Sequence, residues 1–97
     1  MDKYLAMTKP FDPAELLDSA EAIGAYLEEA FESDDPAFIT HALGIVARAK
    51  GMTEVARKTG LTRESLYKAL SADGNPEFAT ILRVLNALDL RFGVRAA

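Results

Sequence analysis

Arg63, Glu64, Ser65, Tyr67 and Lys68 fall close together on what reads as one short helix, and their polar ends suit hydrogen bonding to nucleic acid. An arginine at the start of such a helix pairs bidentately with a guanine edge or grips a phosphate, and Glu64 can accept from cytosine N4. Ser65 is placed for a phosphate or a base. Tyr67 either reaches a phosphate or a thymine methyl, or covers the core edge with its ring. Thr62, just ahead, has the right chemistry for an N-cap, its hydroxyl accepting from an orphan amide. Thr53 stands in the same relation to the preceding helix, where it and the first amides suit a backbone phosphate. Arg57 and Lys58 are phosphate neighbours rather than base readers. The competing reading is that Arg63 and Glu64 are ordinary solvent-facing residues of a helix's first turn.

These side chains need elements to position them, and residues 52–70 have the layout of a helix-turn-helix. Its helices span about 53–59 and 62–70. Ala56 is small where two helices cross closely. Gly60 sits at the sharp turn, where a positive φ costs glycine nothing. Val55, Leu61, Leu66 and Leu70 form the apolar side. Asp35-Pro36 opens the helix before the motif by N-cap and N1 logic, with Phe38, Ile39, Ala42, Leu43 and Val46 along one side and Gly51 as its stop. Ser71 to Pro76 is turn-rich. The following helix, 77–89, carries Phe78, Ile81, Leu82, Leu85 and Leu88. Further upstream, Tyr4 to Met7 reads as a short strand, and Asp12-Pro13-Ala14-Glu15 starts a helix ending near Asp18. Ser19 caps the next helix, where Ile23, Tyr26, Leu27, Ala30 and Phe31 make an apolar stripe opposite Glu21, Glu28, Glu29 and Glu32. Arg91 to Arg95 alternates polar and apolar, the pattern of a short strand.

Ninety-seven residues, nearly half of them hydrophobic, make one folded domain. Cysteine is absent, which excludes disulfides, thiolate zinc and cysteine nucleophiles. No apolar run approaches the roughly 20 residues of a membrane span, and the N-terminus lacks the apolar stretch of a signal peptide. The expectation is a soluble, cytoplasmic protein. His41 has no companion ligands, so no metal is expected. Glu28-Glu29 and Asp34-Asp35 are solvated neighbours rather than an acid/base pair. Gly74 stands alone rather than in a phosphate-cradling loop. No catalytic residue, enzyme activity or cofactor is expected. The net charge of −4 divides unevenly: residues 1–49 hold three basic residues against ten acidic, and residues 50–97 eight against five. Within 48–70 the count is six against two, so a basic patch is carried on an acidic body. Screening over roughly 10 Å lets such a patch neutralise phosphates locally.

From Phe11 to about Val94 the chain resembles the HigA-like, Xre-type helix-turn-helix proteins known as probable addiction-module antidote (antitoxin) proteins. The resemblance rests on Pro-Phe-Asp-Pro-Ala-Glu-Leu-Leu at 10–17, Ile-Gly-Ala-Tyr-Leu-Glu-Glu-Ala at 23–30 and Ala-Leu-Gly-Ile-Val-Ala-Arg-Ala-Lys-Gly-Met-Thr at 42–53. Its most specific part is Leu-Thr-Arg-Glu-Ser-Leu-Tyr-Lys-Ala-Leu-Ser-Ala-Asp-Gly-Asn-Pro-Glu-Phe at 61–78. It implies a bacterial or prophage antitoxin that binds a small basic toxin of the RelE/ParE type and represses their shared operon. The expected fold is all-α, a lambda-repressor-like (Xre-type) helix-turn-helix domain with added N-terminal helices and short terminal strands. Residues 1–34 would form an acidic helical segment, the candidate toxin contact, packed on a DNA-binding domain over 35–97. A homodimer is expected, because two recognition helices about 34 Å apart read a pseudo-palindromic operator on double-stranded DNA. Its surface would comprise Leu85, Leu88, Leu90, Phe92 and Val94. The alternatives are a stand-alone prophage-type repressor, and a protein-interaction module that no longer binds DNA.

Overall fold

The computed structural model describes residues 17–97, which fold as five helices: α1 (Ala20–Glu32), α2 (Pro36–Lys50), α3 (Met52–Thr59), α4 (Arg63–Ala69) and α5 (Phe78–Ala87). The strand expected at Tyr4–Met7 and the helix expected from Asp12 lie outside these residues, apart from Leu17 and Asp18, which are not helical. Local chemistry starts and stops each element. The Ser19 hydroxyl accepts from the Ala22 amide at 3.1 Å, and Asp35 Oδ1 accepts from the Ala37 amide at 3.1 Å with Pro36 opening α2. Between them Asp34 takes the left-handed conformation, φ 55°, while the Ser33 hydroxyl donates to Ala30 O and accepts from the Asp35 amide. One residue, Gly51 at φ 111°, ends α2 and begins α3: its amide donates to Ala47 O, and its carbonyl accepts from Val55 N. Gly60 at φ 79° closes α3 in the left-handed region that a Cβ disfavours.

The helices enclose one core in which Leu43, Val46, Val55, Leu66, Val84 and Leu88 are fully buried. α1 packs on α2, α2 on α3, and α3 on both α4 and α5. Ile23, Leu27 and Ala30 of α1 join the same core, so the described part of the acidic segment is built into the domain it flanks.

Several expectations change. Phe38 and Phe78, placed on apolar stripes, are 47% and 59% exposed, and Val84 takes the buried position on α5. Each phenylalanine lies in the first turn of its helix, and Phe78 packs on the Phe92 ring of the tail rather than in the core. Leu85 and Leu88, expected at a dimer surface, are 4% and 1% exposed, their side chains consumed by the chain's own core. Leu90 is half-buried, and Phe92 and Val94 stay exposed. Arg91–Arg95 is not a strand, and no strand occurs among the described residues. The cause lies in the end of α5. Asp89 sits at φ 63°, Leu90 N donates to Leu85 O at 2.9 Å and Asp89 N to Asn86 O at 3.0 Å. This paired 6→1 and 5→2 bonding is a Schellman cap. It turns the tail back over α1, where its backbone has no neighbouring strand to bond. Side chains hold it instead: Phe92 packs on Phe31 and Phe78 with centroids 5.7 Å apart in each pair. Arg95 reaches Glu32 at 2.9 Å and Glu28 at 3.5 Å.

Two glycines fix where α4 ends. A Cβ at Gly44, in the middle of α2, would lie 2.9 Å from the Leu70 carbonyl oxygen. A Cβ at Gly74 would be driven into the Ala69 carbonyl and lie 2.8 Å from that of Lys68. At Gly44 an added methyl costs about 1–3 kcal/mol by overpacking, partly offset by the roughly 1 kcal/mol that alanine gains over glycine within a helix. Gly74 lies in a loop, where alanine gains only about 0.4–1 kcal/mol from a stiffer unfolded chain, and its Cβ would meet backbone more closely than at Gly44. Gly74→Ala is therefore expected to lower Tm more than Gly44→Ala, by roughly 4–8 °C for each kcal/mol lost. An unchanged melting curve for Gly74→Ala would mean that the loop can retreat from α4. At the other end of α4 the Thr62 hydroxyl accepts from Ser65 N at 3.0 Å. Thr62→Ala should cost about 1 kcal/mol and speed hydrogen exchange at the Ser65 amide, with Thr62→Ser restoring both.

Candidate nucleic-acid interface

A seven-residue helix is too short to persist alone, so α4 exists because it is docked. Leu66 is its one buried side chain, and Leu70 follows at its C-cap; Val55 and Ala56 of α3 are buried beside them, with Leu61 half-buried in the turn. The turn is stitched by Thr59, whose buried hydroxyl donates to Ala56 O at 3.1 Å and accepts from Leu61 N at 3.3 Å. Sequence reasoning passed over this residue, although a threonine directly before the turn glycine is a usable signal.

With Leu66 facing inward, Arg63, Glu64, Ser65, Tyr67 and Lys68 all stand exposed on one short helix. Thr62 is exposed too, but its hydroxyl is engaged on both sides, since it also donates to Ser65 Oγ at 2.9 Å. Arg63 lies over the Tyr67 ring with its Cζ 5.8 Å from the centroid. Tyr67 is 42% exposed, so its ring does not cover the core edge.

On α3 the expectation for Thr53 is corrected. Gly51 occupies the N-cap position and makes no side-chain cap, which leaves Thr53 as an exposed residue inside the first turn. Arg57 and Lys58 are exposed and pair with Glu54 of their own helix at 3.8 and 3.4 Å. Exposed pairs of this kind contribute roughly 0–1 kcal/mol, so a phosphate can take either cation at little cost. Arg48 belongs to the basic stretch by sequence. Its guanidinium folds back along α2, with one nitrogen 3.4 Å from where a Gly44 Cβ would stand. His41 is exposed on α2, and no three ligand-type side chains gather as a metal site among the described residues. A groove of about 1120 Å³ runs between α1 and the tail, lined by Leu27, Phe31, Leu85, Leu90 and Phe92 among others; no α3 or α4 side chain contributes to it. The clustered polar side chains thus lie apart from this groove. No helix among the described residues is long and apolar enough to cross a membrane.

Comparison with known proteins covers nearly the whole chain. A protein of Haemophilus influenzae (strain ATCC 51907 / DSM 11121 / KW20 / Rd), itself described only as an uncharacterized protein, is 51% identical over 87 residues, covering 90% of each chain. No solved structure matches. The family model described as "Probable addiction module antidote protein" matches residues 7–96. That span contains every helix of the described residues and the whole α3–α4 face, and the chain belongs to the probable addiction module antidote protein family.

Proposed function

We propose that this chain is the antitoxin of a type II toxin–antitoxin module. In this reading it neutralises a small basic toxin of the RelE/ParE type by direct binding and represses its own operon through sequence-specific DNA binding. Membership of the antidote family supports the antitoxin role and implies a toxin partner of some kind. The DNA-binding part rests above all on one observation. Within α4 only Leu66 is buried, while Arg63, Glu64, Ser65, Tyr67 and Lys68 are all turned to solvent on the second of two short helices joined at Gly60. A helix kept only for stability would spend more of its surface on the core. A phosphate or base contact also explains why six basic residues against two acidic fall within 48–70 of a chain whose net charge is −4.

Arg63 is the base reader of this scheme, and Thr53, Arg57, Lys58 and Lys68 hold phosphates. A homodimer supplies two such helices to a pseudo-palindromic operator. With Leu85 and Leu88 buried in the chain's own core, its surface is drawn from Leu90, Phe92, Val94 and the exposed Phe78. The toxin contact lies on the acidic side of α1. Deleting residues 1–34 would remove Ile23, Leu27 and Ala30 from the core, so charge reversal is the better probe.

On a duplex taken from the promoter upstream of its own coding sequence, wild type should bind with a steep salt dependence. Arg63→Ala should lose roughly 5- to 150-fold in affinity, the 1–3 kcal/mol of one bidentate base contact. Lys68→Ala should weaken all duplexes alike and lower the salt slope by about 1. Salt-independent binding, or an Arg63→Ala protein equal to wild type, would remove base reading by α4. For the toxin, co-expression with the protein encoded next to it should give a complex that survives purification. Glu21→Lys with Glu29→Lys, which spares the two carboxylates holding Arg95, should abolish that complex while leaving the melting temperature near wild type. A complex retained by this double variant would place the toxin on another surface.

A further inference from the structure

The Arg63–Tyr67 contact assigns a job to a tyrosine that neither the core nor a cap requires. Its ring is exposed and lies one helical turn after Arg63 on the same face. An i, i+4 pair on a helix surface meets side chain to side chain. The guanidinium carbon stands 5.8 Å from the ring centroid, within the range in which a cation is held by the ring's negative face. An arginine on an exposed helix otherwise samples many rotamers, and a bidentate contact uses only the few that project the planar fork outward.

We infer that Tyr67 is a positioning residue for Arg63: its ring holds the guanidinium by a cation–π contact and so prepares it for bidentate pairing with a guanine edge. The inference rests on the DNA-reading function proposed above and deepens it, because it states which base α4 selects and how the selecting group is held in advance. Guanine offers N7 and O6 side by side in the major groove, and a planar pair of N–H donors matches that edge. Lysine cannot replace arginine in this scheme, having neither the fork nor the flat face that stacks. Other groups on the face leave the pair undisturbed. Glu54, one α-helix away, is engaged by Arg57 and Lys58, and the Thr62 and Ser65 hydroxyls bond each other beside the cap. Entry into a groove strips water from the pair, and a cation–π contact strengthens when it is desolvated.

The test is a double-mutant cycle on the promoter duplex, with a scrambled duplex of equal length as the non-specific reference. Tyr67→Ala should lower promoter affinity by about 2- to 30-fold, the range expected of one cation–π contact from exposed to desolvated, and leave scrambled-duplex affinity near wild type. Tyr67→Phe keeps the ring and should match wild type. In an Arg63→Ala background Tyr67→Ala should have no further effect, because a residue acting through another adds nothing once that other is gone. Replacing operator guanines one at a time with 7-deazaguanine should reveal a position whose penalty is present in wild type and reduced in Tyr67→Ala. An equal loss from Tyr67→Ala in both backgrounds would mean that Tyr67 contacts DNA itself. Tyr67→Phe as weak as Tyr67→Ala would mean that the hydroxyl is what matters. Either result overturns the positioning role while DNA reading stands. In DNA-free protein, NMR should show the Arg63 δ protons shifted upfield by the Tyr67 ring, with the shift lost in Tyr67→Ala. No such shift would overturn the contact even if the promoter is bound. The shift without any promoter binding would keep the contact but overturn its role in reading DNA, together with the function on which it rests.

Discussion

Everything proposed for the α3–α4 face depends on docking a helix too short to hold itself. Seven residues give α4 only a few internal hydrogen bonds, below the length at which helices persist in water. Burial replaces that missing cooperativity. Complete burial of one leucine is worth roughly 1.5–3 kcal/mol, and α4 receives it at Leu66 and again at Leu70 at its end. The remaining constraint is steric. Gly44 lets the Leu70 carbonyl come close to α2, and Gly74 lets the following loop close over the Ala69 and Lys68 carbonyls. The outward direction of Arg63 and its neighbours is therefore set by contacts on the opposite side of the helix, and by two positions where a side chain is missing.

The same arrangement separates charge without a linker. α1 carries Glu21, Glu28, Glu29 and Glu32 and packs on α2, whereas α4 packs on α3. The acidic and basic side chains thus belong to different helices sharing one core. At a separation beyond about 10 Å, surface charges scarcely feel each other at physiological salt. An acidic protein can therefore keep a locally basic patch, and its net charge reports neither face. Arg95 is the exception: it brings a positive charge onto α1 by crossing from the far end of the sequence.

Which parts of this were legible in the sequence follows from the range of the interactions. Caps are local, and Ser19, Asp35 and Thr62 act as their residue types and neighbours indicate. The turn at Gly60 was legible for the same reason. The helical stripes gave the core of α1 and the inner side of α3 and α4. They failed at Phe38 and Phe78, because periodicity says which side of a helix is apolar and not which of its turns is covered. Thr53 was misassigned because Gly51 does two jobs, ending α2 and serving as N-cap of α3 with no side chain to advertise it. The tail was read as a strand from alternation alone. Alternation identifies a strand only if a partner edge is within reach, and the turn at Asp89 delivers the tail to a helix instead. Gly74 looked uninformative because its role is a close approach to another part of the backbone, which one-dimensional spacing cannot display.

The polar contacts on the exposed face are all short in sequence and individually weak. Thr62 bonds Ser65, Arg63 lies over Tyr67, and Glu54 holds Arg57 and Lys58, each within three or four residues. Exposed pairs of this sort contribute roughly 0–1 kcal/mol each, against the larger and cooperative burial behind them. The consequence is a division of labour. The apolar side fixes where the face is, and the polar side orders its groups without committing them. Phosphates can take Arg57 and Lys58 from Glu54 because little is lost when those pairs open. An arginine held by a ring differs from a salt-bridged one in this respect: the Tyr67 ring, with its centroid 5.8 Å from Arg63 Cζ, attracts the charge without occupying a guanidinium N–H as a carboxylate does.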